Sequence, residues 1–492
     1  MMTTKDLGLE KPLYIASKIM DAQALDDFRA KYQQFRGGES VGAKGEMKHL
    51  VMAEFKSQVE EAAKESFARN RLQKKTTYDL AKDVPIDATI NSGSKYEARF
   101  ERTKLMRSDV LVESNLVENL ASRALGVIPE QCHRSSIYVV TDSVADDLYG
   151  QAVLDGLVSA GLQATKFVVP SETDESGETS TEEIKTLSTL SKLADMILDA
   201  GVDKRSCIVS VGGGVVNNIC GYLAGSIYRG ITLVHFSTTF MGQVDAAIDF
   251  KQAVNHGCGK NLLGCYYPAS KILLDPTVLL TQSKRHRLNG LAEALKHGMV
   301  HSTDLLEFIV NGGTIADPKY LDGVVRRTIA VKVPTLTRYE ESDFNEMAPQ
   351  FGHAPAHAIE FLSWHGGCPE HGPLLHGEAV AIGMCVSAEV AYMMGVCTKE
   401  VVEDHYRIVE SVGLPSCTPD EMDLEAIIAK FAYDKHTLSG KPTMGLLRAM
   451  GDMYEVAGVY GQPIEPEILR EAFLINMARG KANKEAKQIN AN

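Results

Sequence analysis

Hydrophobic and polar positions along this chain follow more than one rhythm, and the changes of rhythm divide it. Up to about residue 92, segments such as MKHLVMAEFKSQVEEAAKESFARNRLQKK are helical in composition and rich in charge. They predict a helical N-terminal extension, 1–92. Its simplest role is a cap on the main body, and a partner or oligomer contact is the alternative. From about Lys95, short β-rich runs alternate with helical stretches. SSIYVVTD (135–142), QATKFVVP (163–170), CIVSVGGG (207–214) and ITLVHFST (231–238) read as strands, and residues 181–200 carry apolar positions at helical spacing. Strands alternating with helices predict a parallel sheet with crossover helices over 93–284. After about residue 285 the β-rich runs mostly stop. GLAEALKHGMV, YLDGVVRRTIAVKV, GHAPAHAIEFL and GEAVAIGMCVSAEVAYMMG all read as helices, so 285–492 is expected to be largely all-α. The fold class is therefore α/β plus all-α, with a ligand cleft expected between the two halves.

Composition narrows the function classes. At 492 residues the chain has room for two or three domains, and 44% hydrophobic with 23% charged residues is ordinary for a soluble enzyme. A net charge of −13 repels phosphate backbones, which argues against a nucleic-acid partner. An anionic substrate would need a local cationic pocket. No apolar run approaches 18 residues, so no membrane span is expected. The N-terminus lacks the apolar core of a secretory signal. Nine cysteines without a CxxC pair read as reduced thiols, and the expected address is cytoplasmic.

Three stretches carry candidate chemistry. Ser210 to Val216, SVGGGVV, ends a strand and opens a helix. Its glycines let a backbone approach a pyrophosphate at a helix N-terminus, although a plain tight turn gives the same pattern. Glu293 and Lys296 share a helix face at i,i+3. His353 and His357 share one at i,i+4, and His376 opens a further helix. One carboxylate and two imidazoles suit a divalent metal with a position left open. His365 and His371 lie between these histidines as spare candidates. Residues 238–268 punctuate an apolar stretch with Thr238, Thr239, Asp245, Lys251, Lys260 and Asn261, groups able to hold a phosphate and hydroxyls.

In order and approximate spacing, GGGVV, YRG, TTF, VDAAIDFK, GKNLLG, NGLAEALKHG, FGHAPAHAIE and LLHGEAVAIGM resemble the 3-dehydroquinate synthase superfamily of sugar phosphate cyclases, over roughly residues 95–475. The resemblance implies a Rossmann-like NAD-binding domain and a helical metal-binding domain. It implies NAD contacts at Asp142, Glu182, Lys185, Gly213, Gly214, Val215, Thr238, Thr239, Lys260 and Thr281, and at Asn218, which stands where quinate-forming members carry Asp. It implies zinc or cobalt on Glu293, His353 and His376. Substrate contacts are implied at Arg229, Asp245, Lys251, Asn261, Lys332 and Lys435. His357 corresponds to a proton-handling histidine, and Lys296, Lys251 and Asp245 join it as expected catalytic groups. The implied reaction transiently oxidises a ring carbinol with NAD, eliminates phosphate, returns the hydride and closes a carbocycle. The expected partner is a small sugar phosphate, and the expected assembly a homodimer.

The finer class turns on a few positions. Quinate-forming members resemble a pattern with Arg and Asn before the first metal histidine, where an ungapped reading here puts Glu346 and Gln350. An acid facing a substrate carboxylate is repulsive. Members acting on sedoheptulose 7-phosphate resemble a pattern with proline at the second histidine, where this chain keeps His357. EEIKTLST, Asn218, FKQAVN and GKNLLG resemble 2-deoxy-scyllo-inosose synthases, which act on glucose 6-phosphate, and Gln350 is then a substrate contact. Two departures stand out: His357 and His376 are 19 residues apart, with SWHGGCPEHGPL inserted between them, and the N-terminal extension is foreign to that group. A metal-dependent alcohol dehydrogenase is the alternative from another class, and the lysines favour the cyclase.

Overall fold

The computed structural model describes residues 107–491 apart from 171, 174–178, 181, 258, 340–349, 434–436 and 438–440. All of them belong to one compact unit, Lys104–Asn492. The expected extension 1–92, Glu346 and Lys435 lie outside the described residues.

Six parallel strands form the main sheet: β1 (Asp109–Val112), β2 (Ile137–Asp142), β3 (Ala164–Val169), β4 (Cys207–Gly212), β5 (Thr232–Ser237) and β8 (Lys271–Leu274). Their order across the sheet is β1-β8-β5-β4-β2-β3, every neighbouring pair parallel. β2 and β4 are buried at every residue, which is why they read as continuous rather than alternating apolar runs. Helices α2 (Gln151–Ser159), α3 (Leu187–Asp199) and α4 (Gly214–Ser226) make the crossovers, and α1 (Leu120–Val127) packs on α2. The chain leaves β2 toward β3 and later returns to β2's other side as β4. The strand order therefore reverses between β2 and β4, where open α/β sheets leave a crevice at the strand ends.

The polar stretch 238–268 contains an antiparallel hairpin, β6 (Lys251–His256) and β7 (Gly259–Tyr266), inserted before β8. β1 (DVLV) and β8 (KILL) are too short, at four residues each, to give a clear strand signature, and pairing and turn geometry define the hairpin.

From Lys284 onward the unit is mostly helical, with only short strand pairs. The helices are α5 (Lys284–His301), α6 (Thr303–Asn311), α7 (Pro318–Tyr339), α8 (His353–Leu362), α9 (His376–Met393), α10 (Lys399–Ser411), α11 (Leu424–Lys430) and α12 (Pro466–Ala491). Ser283 and Ser302 cap α5 and α6 by accepting the backbone N–H groups of His286 and Leu305. Every residue from Gly290 to Val300 of α5 is buried, including Glu293, Lys296 and His297. α9 is buried over nearly its whole length. These two helices thus form the centre of the helical half, and polar groups on them must be paired within it. No helix among the described residues is long and apolar enough to cross a membrane.

Three further histidines are buried as neutral bases, His297 beside Glu293 and His235 and His405 away from that group. Burial takes His235 down to about 3, and His297 and His405 down to about 4. The unfolded chain takes up protons near 6.5 while the folded one does not, so stability falls as pH drops from about 6.5 toward 4. Between pH 7 and pH 5 each contributes a loss of about 2 kcal/mol. Urea unfolding followed by circular dichroism should therefore show a markedly lower midpoint at pH 5 than at pH 7.

Candidate active site

The glycine turn lies at the strand-order reversal. Gly213 precedes the first turn of α4, which carries no acidic residue and no side-chain cap, so its N–H groups and positive dipole end are available to an anion. The turn is packed too closely for side chains. A Cβ on Gly213 would stand 2.9 Å from Thr239 Cγ2, and one on Gly214 2.9 Å from Ala246 Cβ. Asp142, at the end of β2, uses Oδ1 to accept the N–H groups of Val144 (3.0 Å) and Ala145 (2.9 Å), and its Oδ2 faces Gly212. Burial raises the Asp142 carboxyl above its usual range, against the pull of those N–H groups.

Ala246 belongs to the turn Gly242–Ala246, and its neighbour Asp245 reaches the second cluster. Ligand atoms of Glu293, His353 and His376 lie within 4.8 Å of one another, as do those of Asp245, Glu293 and His297. Glu293 Oε1 is 3.3 Å from His353 Nε2 and 3.4 Å from His376 Nε2, and Oε2 is 2.5 Å from Lys296 Nζ. His353 Nδ1 lies 3.2 Å from the Phe351 carbonyl and His376 Nδ1 3.0 Å from Glu360 Oε2. A carbonyl or carboxylate only accepts, so each Nδ1 holds a proton and each ring turns its Nε2 toward Glu293, the nitrogen left to bind a cation. Two imidazole nitrogens and a buried carboxylate oxygen, with no aligned hydrogen-bond donor on either Glu293 oxygen, fit a divalent cation.

Close helix contact creates this geometry. Gly352, left-handed with φ 78°, immediately precedes α8, and a Cβ on Gly383 of α9 would stand 2.0 Å from its carbonyl oxygen. Only glycine at 383 lets α8 and α9 approach this far, which brings the His353 and His376 rings to 5.4 Å. His357, one turn along α8, stands 5.7 Å from His353 and 6.5 Å from His376 between ring centres.

Buried charge is balanced throughout. Burial would raise the Glu293 carboxyl, but Lys296 and His353 hold it well below the usual range. Burial and Lys296 take His353 down to about 4. His376 goes the other way: burial opposes its charge, yet Glu360 and Glu293 push it up to about 10. Asp245 pairs with Lys332 of α7, whose Nζ also donates to the Asp245 carbonyl at 3.0 Å. Against burial, Lys332 holds the Asp245 carboxyl far below its usual range.

The hairpin joins the two clusters. Lys260 Nζ is 2.5 Å from Glu360 Oε1 and 3.6 Å from Glu182 Oε1. Glu182 also accepts from Asn255 (2.7 Å), Lys185 Nζ donates to Asn261 Oδ1 (2.6 Å), and Asn218 Oδ1 accepts the Ala253 N–H (3.3 Å). Thr238 N–H bonds the Gly212 carbonyl, Thr239 Oγ1 accepts the Gly242 N–H, and Thr281 pairs with Tyr149 at 2.5 Å. Lys251 opens β6 half-buried, Val215 is in the first turn of α4, and the Gln350 carbonyl accepts the His353 N–H.

Arg229 stands apart from the glycine turn. It sits exposed at the far end of α4, in a turn where Tyr228, Arg229 and Gly230 all have positive φ. The 13 residues of α4 separate the two by about 20 Å. The spare histidines are also set apart. His365 stacks on Phe361 at 4.0 Å, and the N–H groups of Glu370 and His371 are held by Glu421. Two site residues escaped the sequence reading, His297 and Glu360. Each stood inside a quoted motif, at i+4 from Glu293 and i+3 from His357, and helical spacing would have found both.

Comparison with known proteins agrees with this layout. Residues 178–289 match the family model "3-dehydroquinate synthase N-terminal", and residues 290–437 match "3-dehydroquinate synthase C-terminal". A 3-dehydroquinate synthase of Desulforamulus reducens is 32% identical over 329 residues, 66% of this chain and 88% of its own. A crystal structure of 2-deoxy-scyllo-inosose synthase complexed with carbaglucose-6-phosphate, NAD+ and Co2+ is 26% identical with a TM-score of 0.64, covering 74% of this chain and 95% of its own. The 2-epi-5-epi-valiolone synthase of Streptomyces hygroscopicus, with NAD+ and Zn2+ bound, is 28% identical with a TM-score of 0.66, covering 78% and 100%.

The Asp245–Lys332 pair gives a direct test of the charge balance. Lys332→Met leaves a partly buried carboxylate, 26% exposed at its side chain, without its cation and should cost about 2 kcal/mol. Adding Asp245→Asn should recover part of it, read from urea midpoints of the single and double variants.

Proposed function

The chain belongs to the 3-dehydroquinate synthase family, and from that premise we propose that it is an NAD- and metal-dependent sugar phosphate cyclase, releasing phosphate and forming a carbocyclic ketone. One observation carries this reading: the turn Gly242–Ala246 backs the glycine turn with Ala246 and reaches the Glu293 cluster with Asp245. A dinucleotide on Gly213, Gly214, Val215, Asn218, Asp142, Glu182, Lys185, Thr238, Thr239, Lys260 and Thr281 would thus lie beside a cation on Glu293, His353 and His376. When bound, these groups supply hydride exchange and polarisation of the oxygen at the carbon being oxidised.

The chain's own residues do the rest. Lys251, Asn261 and Lys435 offer cations and donors for a phosphate dianion on an otherwise acidic protein. His357 moves the proton at the reacting carbon or the leaving oxygen. Lys296 and Lys332 keep Glu293 and Asp245 ionised, and Asp245 orients a substrate hydroxyl. A cleft between the halves would hold the opened chain's ends together for ring closure.

Among substrates, glucose 6-phosphate giving 2-deoxy-scyllo-inosose is the favoured reading. Glu346 and Gln350 stand where a carboxylate-bearing substrate would need a cation, and EEIKTLST, FKQAVN and GKNLLG follow the inosose-forming pattern. Sedoheptulose 7-phosphate is the second reading, supported by the similarity to the valiolone synthase, although this chain keeps His357. The proposed assembly is a homodimer.

Incubating the metal-loaded protein and NAD+ separately with glucose 6-phosphate, sedoheptulose 7-phosphate and a heptulosonate phosphate tests this. Expected are phosphate release and a cyclic ketone by mass from the first, with no net rise at 340 nm. Steady NADH accumulation would point to a dehydrogenase, and turnover of the heptulosonate alone to quinate formation. His357→Gln should lower turnover about 100-fold or more, while bound metal, measured by mass spectrometry, stays unchanged.

A further inference from the structure

Glu360 is one carboxylate with two demanding neighbours. Its Oε2 lies 3.0 Å from His376 Nδ1 and its Oε1 2.5 Å from Lys260 Nζ. It is 4% exposed, so water does not compete for either oxygen. The neighbours come from opposite sides of the cleft. His376 opens α9 and turns its other nitrogen to Glu293. Lys260 belongs to the hairpin that also engages Glu182 and, through Asn255 and Asn261, Lys185. Glu360 itself is fixed along α8, where its carbonyl accepts from Ser363 Oγ at 2.7 Å.

We infer that Glu360 is a positioning residue that couples the two halves of the site: it sets the orientation of His376 and, by the same charge, holds Lys260 back from an incoming anion. The inference rests on the proposed metal and dinucleotide sites. A divalent cation on His376 Nε2 displaces at most one proton, so it adds positive charge on the His376 side of Glu360. More of the carboxylate's charge is then committed to His376 and less to Lys260, which becomes available to a phosphate or carboxylate. Metal occupancy should therefore tighten dinucleotide binding, and by reciprocity dinucleotide should tighten metal. A carboxylate serving only as packing would produce no such linkage.

The test uses full-length protein and calorimetric titrations of Co2+ and NAD+, each with and without the other, alongside the visible absorption of bound Co2+. In the wild type, metal should tighten NAD+ binding roughly fivefold or more. Glu360→Gln, which keeps shape but not charge, should weaken Co2+ binding about 10- to 100-fold, shift the Co2+ bands and reduce the coupling below about twofold. Lys260→Met should abolish the coupling while Co2+ affinity stays within about threefold, and it serves if Glu360→Gln folds poorly. Wild-type affinities that do not depend on each other, or variants that keep the full coupling, overturn the inference. His353→Gln separates the two readings. If it binds Co2+ like the wild type, the proposed metal site is wrong. If it loses Co2+ while Glu360→Gln retains both affinity and coupling, Glu360 alone has been misread.

Discussion

The structure depends on burying carboxylates at the centre of a helical body without leaving their charge unanswered. Glu293 is wholly buried, Glu360 nearly so, and Asp245 lies within ligand distance of Glu293. An isolated ionised carboxylate in such a place would cost far more than any single packing contact returns. Each is therefore matched: Lys296 to Glu293, Lys332 to Asp245, Lys260 and His376 to Glu360. The pairs are also links. Glu293 and Glu360 share His376, and Lys260 continues the sequence of contacts to Glu182.

Secondary structure explains why these charges meet. The reversal of strand order sets Asp142 beside the glycine turn, and the chain following β5 folds back so that one short turn touches both that region and the helical centre. The close approach of α8 and α9 at Gly352 and Gly383 puts residues far apart in the chain into one ligand set. Packing and chemistry are thus not separable here, because the small residues that permit the approach also determine the distance between imidazoles.

Much of this was readable before any coordinates. The four β-rich runs became β2, β3, β4 and β5 within two residues at each end, and β2, β4 and β5, buried almost throughout, owe their long apolar signatures to that burial. The helices carrying Glu293, His353 and His376 were equally clear. β1, β8 and the hairpin were not, since four-residue strands carry too little pattern and a half-exposed hairpin owes its form to neighbours more than to its own sequence. Ordered motifs named most of the residues that gather in the cleft. They could not reveal that Arg229 lies at the other end of α4, because a motif carries order along the chain and not distance in space. Glu360 and His297 were overlooked for a related reason: each looked like the polar face of a helix, and only burial makes its charge or its ring consequential.

The segment between α8 and α9 closes on itself. Ser363 Oγ donates to the Glu360 carbonyl and accepts the Leu374 N–H at 3.0 Å, and Trp364 Nε1 bonds the Leu374 carbonyl. The two ends are thereby stitched together, while the tip is held from outside by Glu421. Length added or removed beyond that stitch does not reach the helices that carry the imidazoles. The segment can therefore change in length beyond the stitch while the metal-type cluster keeps its dimensions.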